Sequence, residues 1–98
     1  MNMQVKPLHT EVEKVIHLNA GMIVLESAVK FPHNESNLYL IGLDGTIIWQ
    51  AEKPNPGAFF TRVKLNDDGD TFSAYTLNGH VCELNLTSGK LINFTSFR

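Results

Sequence analysis

Two things this chain barely has set limits on it before any motif is considered. Its 98 residues contain one cysteine, Cys82, so no internal disulfide framework exists and stability has to come from a packed core. No stretch approaches the roughly 18 consecutive apolar residues of a membrane span. The opening Met1-Asn2-Met3-Gln4-Val5-Lys6-Pro7 carries one positive charge and no apolar run of signal-peptide length. The expectation is therefore a soluble, cytoplasmic protein that neither spans nor coats a membrane. Charge is sparse too: only 18% of residues are charged and the net charge is −2, with no block of one sign. Nothing in that balance suggests a nucleic-acid groove or an anionic membrane as partner.

Hydrophobic residues make up 43% of the chain, enough for one globular domain with a real core. The most informative stretch runs from Asn66 to Phe94 and centres on Leu77-Asn78-Gly79-His80. Asn-Gly between two runs of alternating polarity predicts a hairpin with a type I′ turn, which needs positive φ at both central residues. Thr87-Ser88-Gly89 predicts a second turn, with Gly89 in a left-handed position. Three strands follow from these turns, Thr71 to Thr76, His80 to Leu86 and Lys90 to Thr95.

Residues 1–10 read as a loosely held N-terminal arm. In Glu11 to Leu18, the residues Glu11, Glu13 and Lys14 admit a helix, whereas Val12, Val15 and Ile16 favour a strand. Asn19-Ala20-Gly21 is a turn, and Met22 to Val29 is the next strand. Asn37 to Leu43 is apolar on both faces, which predicts a strand buried on both sides or covered on one by another subunit. Asp44-Gly45 reads as a two-residue turn into Thr46 to Glu52. Lys53-Pro54-Asn55-Pro56-Gly57 cannot continue a ladder, because proline has no N–H to donate. Residues 53–58 are thus a joint between a first four-stranded repeat (11–52) and a second (59–98), which begins with a strand from Phe59 to Leu65. The expected fold is all-β: about eight antiparallel strands in two four-stranded, blade-like meanders, packed as a sandwich or assembled as propeller blades in a homo-oligomer.

Gly45 and Gly89 stand in matching contexts, a turn glycine, one polar residue, then Ile47-Ile48 or Leu91-Ile92. Their 44-residue spacing falls in the range of propeller blades and solenoid turns. The run from Gly79 to Lys90, Gly-His-Val-Cys-Glu-Leu-Asn-Leu-Thr-Ser-Gly-Lys, resembles the blade consensus of quinoprotein-like (PQQ-like) β-propellers, with a looser likeness to WD40-like blades. In the PQQ-like consensus a strand of the form G-x-V-Y-A-L-D precedes a T-G-K turn. Gly45-Thr46-Ile47-Ile48-Trp49 is similar to the continuation of that consensus, where a tryptophan four residues after the glycine docks one blade on the next. The resemblance implies blade-shaped sheets with Trp49 at their junction. At the matching place the second repeat has Asn93, and two repeats fall short of the four to eight blades of a closed ring. No cofactor-binding residue of the quinone enzymes has a counterpart here, so no cofactor is expected.

Three sets of residues are candidates for chemistry or binding. Trp49, Phe59 and Phe60, with Lys53 and Asn55 in the Pro-rich joint, form an aromatic cluster suited either to anchor a partner or to plug the space between two sheets. Asp68 and Asp70, with Asp67 and Asn66, offer spaced oxygen ligands for a cation, but they also spell an ordinary hairpin turn. His80 and Cys82 lie two apart on one strand face, as a metal pair or a thiol with its base would. No third or fourth ligand stands at motif spacing, and the preferred reading makes Cys82 core and His80 turn edge.

Two functions follow as expectations. One is a non-enzymatic module that binds another protein, of the immunity or regulatory type. The alternative is a small-ligand or metal-binding protein or enzyme whose site forms between subunits, drawing on Asp67, Asp68, Asp70, His80 and Cys82. A third possibility is a structural relic of a longer propeller.

Overall fold

The structure is a computed structural model and describes residues 5–96. Among these there is no helix, and hence none long and apolar enough to cross a membrane. Eight strands follow one another: β1 (Val12–Leu18), β2 (Gly21–Glu26), β3 (Leu38–Gly42), β4 (Ile47–Gln50), β5 (Phe60–Leu65), β6 (Thr71–Thr76), β7 (His80–Asn85) and β8 (Leu91–Ser96). The first four form one antiparallel sheet in sequence order, and the last four form the other. The all-β, two-sheet expectation holds. The undecided stretch from Glu11 to Leu18 is a strand, in line with its three β-branched residues.

The two sheets share one core. Alternation of side chains puts Ile23, Leu25, Leu38, Leu40 and Trp49 on the inner face of the first sheet, where they meet Phe60, Val63, Phe72, Ala74, Cys82 and Leu84 of the second. Register places like with like across the ladder: Ile23 opposite Leu40, Leu25 opposite Leu38, and Leu40 opposite Trp49. Asn37, fully buried, adds polar stitching. Its Nδ2 donates to the carbonyls of Glu26 and Phe60, and its Oδ1 accepts from the Phe60 N–H, so the two sheets are joined at the start of β5.

The other face of the first sheet is apolar as well. Met22, Val24, Tyr39 and Ile41 are covered by Val5 and Leu8, with Val12 and Val15 beside them. This explains the two-sided hydrophobicity of Leu38 to Ile41, whose outer cover is the chain's own arm. Residues 5–10 of the arm are therefore secured rather than loosely held, while residues 1–4 lie outside the described residues.

Every edge strand carries a bulge, and no inner pairing does. The extra residue is Glu13 in β1, Ile48 in β4, Thr61 in β5 and Ile92 in β8. A bulge twists the strand and spoils its outer ladder, which discourages edge-to-edge association.

The turns differ from expectation in one respect. At Leu77-Asn78-Gly79 only Gly79 has positive φ, at 92°, and its N–H donates to the Thr76 carbonyl. The loop from Leu43 to Gly45 is built the same way, with Gly45 at 86° and its N–H on Gly42. These are three-residue loops ending in a left-handed glycine, and neither is a type I′ turn. Local hydrogen bonding explains the choice: the Thr76 hydroxyl donates to Asn78 Oδ1 and accepts the His80 N–H, and Asp44 Oδ1 accepts the Thr46 N–H.

Candidate functional site

Trp49 is 7% exposed and closes the space between the sheets. Its ring stacks on Phe72, with centroids 5.4 Å apart and 6° between planes, and its Nε1–H donates to the Leu86 carbonyl at 3.1 Å. The ring also rests on Gly89, where a Cβ would stand 2.6 Å from it. Gly89 adopts φ 71° at the end of the Thr87-Ser88 turn. Phe60 has no exposed surface, and Phe59 lies beneath Lys53, His33 and Phe31. The aromatic cluster of the sequence thus divides. Trp49 and Phe60 belong to the core, and Phe59 to a plug under the loops.

Lys53 fastens that plug. Its Nζ donates to the carbonyls of His33 and Pro56 and sits 4.8 Å from the Phe59 ring centroid, while burial holds its pKa below the usual lysine value. The Asn55 carbonyl accepts the Ala58 N–H, closing the joint. The Lys53 ammonium and the Asn55 main chain are therefore engaged by the chain's own loops.

The acidic turn is equally self-occupied. Asp68 accepts from the N–H groups of Asp70 and Thr71 and from the Thr71 hydroxyl, and these bonds hold its carboxyl below the ordinary range. His80 stands at the other end of the sheet, at the start of β7, edge-on to Phe94. Asp68, Asp70 and His80 are not brought together, and no group of three or more His, Cys, Asp or Glu among the described residues is placed to hold a metal. Cys82 is buried, and burial pushes its thiol up to about 11, the opposite of an activated nucleophile.

Two residues that the sequence reading passed over are the most exposed large apolar side chains among those described, Leu77 at 72% and Val29 at 71%. The strand expected through Val29 ends at Glu26, because the next residues turn to bury Phe31. In that turn Phe31 N–H donates to the Ala28 carbonyl, and Lys30 takes φ 66°, the single positive φ among the described non-glycine residues. Such a conformation costs on the order of 1 kcal/mol for a side chain without local hydrogen bonding. Its effect is to turn Val29 outward. Leu77 heads the turn after β6, fixed by its N–H on the Phe59 carbonyl. Val29 and Leu77 line one cleft of about 330 Å³, floored by Phe60 and Thr61 and flanked by Glu13. No periodicity in the sequence could join them, since they sit on turns of different sheets.

Glu26 is the other feature that alternation could not reveal. Fully buried, its carboxylate accepts the backbone N–H groups of Leu8, His9 and Thr10 and the Tyr39 hydroxyl. Burial pushes the carboxyl up, but these hydrogen bonds outweigh it and leave the pKa below the usual glutamate value. Tyr39 is raised by burial, by that hydrogen bond and by the charge of Glu26. The arrangement is an anchor for the arm, with both carboxylate oxygens engaged by the arm and Tyr39. Comparison with family models, curated proteins and solved structures finds no match to this chain.

Proposed function

We propose that this chain is a non-enzymatic protein-interaction module that meets its partner at the Val29–Leu77 end of the sandwich. The observation that carries this reading is the placement of these two aliphatic side chains on either side of one cleft. The Leu77 turn is fastened by its N–H to the carbonyl of buried Phe59. The Val29 turn is closed on itself by the Phe31 N–H to the Ala28 carbonyl and the Val29 N–H to Ser27 Oγ. Scattered exposed leucines mean little, but an exposed apolar pair around a concavity with a polar rim is the form of an interaction site. The buried polar chemistry is used internally: among the described residues, no buried side-chain nitrogen or oxygen lacks a partner.

The resemblance to propeller blades fits this reading as a blade pair joined by Trp49, binding at its loop end. The test is affinity capture with the wild-type chain and with the double variant Val29→Ser/Leu77→Ser. Both side chains are exposed, so the variant should melt like the wild type. A partner retained by the wild type and lost by the variant supports the site. A partner retained equally by both places the interaction elsewhere.

A further inference from the structure

The Val29–Leu77 cleft does not stop at its apolar end. Glu13 and Thr61 line it and also line a second cavity of about 490 Å³, so one groove runs along the seam between the edge strands β1 and β5. Glu13 and Thr61 are the two bulged residues of those strands. A bulge on each side bends the strands locally, and the seam is open where they stand.

The far part of this groove is basic. Lys14, Arg62 and Lys64 line it, three of the eight Lys and Arg residues of a chain whose net charge is −2. Its single lining carboxylate is Glu13. The one ion pair among the described residues is His9 with Glu35, so none of the three cations has a carboxylate of the described residues within ion-pair reach. Two of them are already positioned. Lys14 Nζ donates to the Val63 carbonyl at 3.1 Å, and the Arg62 guanidinium lies 6.0 Å from the Tyr75 ring centroid. Cations held in place without a counter-charge lose little freedom when an anion arrives.

We propose that this seam binds an extended acidic segment of a partner protein, with an aliphatic side chain seated between Val29 and Leu77 and carboxylates over Lys14, Arg62 and Lys64. The inference rests on reading the chain as an interaction module and adds the chemistry of the partner. Shape and charge agree on it. The six residues of β5 present an edge about 20 Å long at 3.3 Å per residue, matched by an extended segment of about the same number of residues. The apolar end favours peptide over nucleic acid, because it offers aliphatic tips and no exposed aromatic face for a base to stack on.

The experiment is selection of random twelve-residue peptides displayed on phage against the full chain, followed by fluorescence anisotropy on a synthetic winner. Enriched peptides should carry an aliphatic residue followed by at least two Asp or Glu. Arg62→Glu/Lys64→Glu should weaken the winner by about tenfold at low salt, and added salt should weaken the wild-type complex similarly. Arg62→Gln/Lys64→Gln provides a milder pair should the reversal disturb folding, with a smaller loss in the same direction. Winners without acidic residues, weakened only by Val29→Ser/Leu77→Ser, would overturn the acidic assignment and leave the module reading standing. Winners insensitive to both pairs, or no enrichment at all, would overturn the groove, and the capture experiment would then decide the module reading by itself. Tighter binding of a mixed-sequence single-stranded oligonucleotide, lost in the charge reversal, would overturn the proposal in favour of nucleic acid.

Discussion

The two sheets have the same strand order, the same bulged edges and similar closing turns, yet they treat their outer faces oppositely. In the first sheet all of β2 is buried, since its odd residues face the second sheet and its even residues face the arm. In the second sheet the equivalent strand β6 buries Phe72, Ala74 and Thr76 on the inner side, while Ser73 and Tyr75 remain half-buried on the outer. One sheet needs a cover and has one; the other faces water with polar side chains. The difference shows that a repeated topology does not fix which faces are apolar, and that the arm is as much a part of the first sheet's core as its strands are.

The largest effect is expected where the two sheets meet. Trp49→Ala removes the stack on Phe72, the packing on Gly89 and the bond to Leu86, and should cost about 3–5 kcal/mol, read from the urea midpoint. Gly89→Ala acts on the same joint from the other side. It puts a Cβ into the Trp49 ring and a side chain at φ 71°, for a loss of about 1–3 kcal/mol. A loss below about 1 kcal/mol for Trp49→Ala would mean that the sheets hold together without their largest shared side chain.

The next effect separates the sheets. Glu26→Gln keeps the shape but turns part of the acceptor into a donor facing the N–H groups of the arm, at a cost of about 1.5–3 kcal/mol. Amide exchange should then quicken at Leu8, His9 and Thr10 and stay slow in β6 and β7. Equal acceleration in both sheets would show that the arm is not a separate cover. Acid sharpens the same point. The folded pKa of Glu26 lies below its ordinary 4.5, so its contribution is complete above 4.5 and is lost as pH falls through the lower, folded value. Glu26→Gln should flatten the part of the wild-type stability loss that occurs below that pH. Asp44 and Asp68, also lowered by hydrogen bonds, should leave the remainder.

Cys82 gives a third reading, because it lies on the inner face of the second sheet. At pH 8 its buried thiol should react with a disulfide reagent only on opening of the sandwich. Trp49→Ala should speed that reaction, and Glu26→Gln, acting on the far side of the first sheet, should change it much less. Comparable acceleration by both would mean that the arm and the inter-sheet core open as one unit.

Much of the fold was legible in the sequence because it rests on local signals. Alternation and turn residues mark the strands, Pro54 and Pro56 mark the joint, and the unbroken run from Leu38 to Ile41 marks a strand buried on both sides. The turn type at Asn78-Gly79 was not legible, because the hydroxyl of Thr76 decides it. The cover over Tyr39 and Ile41 was missed since it depends on Glu26, a charged residue that ordinarily belongs to the surface. The site was the least legible part. Val29 and Leu77 are 48 residues apart on unrelated turns, and only Phe31 turning inward puts Val29 outside. Trp49 and Phe60 drew notice by residue type, and the same property that makes them interface anchors makes them core.

The smallest effect concerns two aspartate turns, one in each sheet. Asp68 accepts from two backbone N–H groups and from the hydroxyl of Thr71, a buried residue that starts β6. Asp44 accepts from one N–H and from the hydroxyl of Thr46, which is exposed. Asp68→Ala should therefore lower the melting temperature more than Asp44→Ala, and the difference should shrink as pH falls below the ordinary aspartate value of 3.8 and through the lower, folded values of the two carboxyls. Added calcium should leave the wild-type melting temperature unchanged, since both oxygens of Asp68 are already engaged by the turn they close. A calcium-dependent rise abolished by Asp68→Ala would instead return the acidic turn to the list of binding sites.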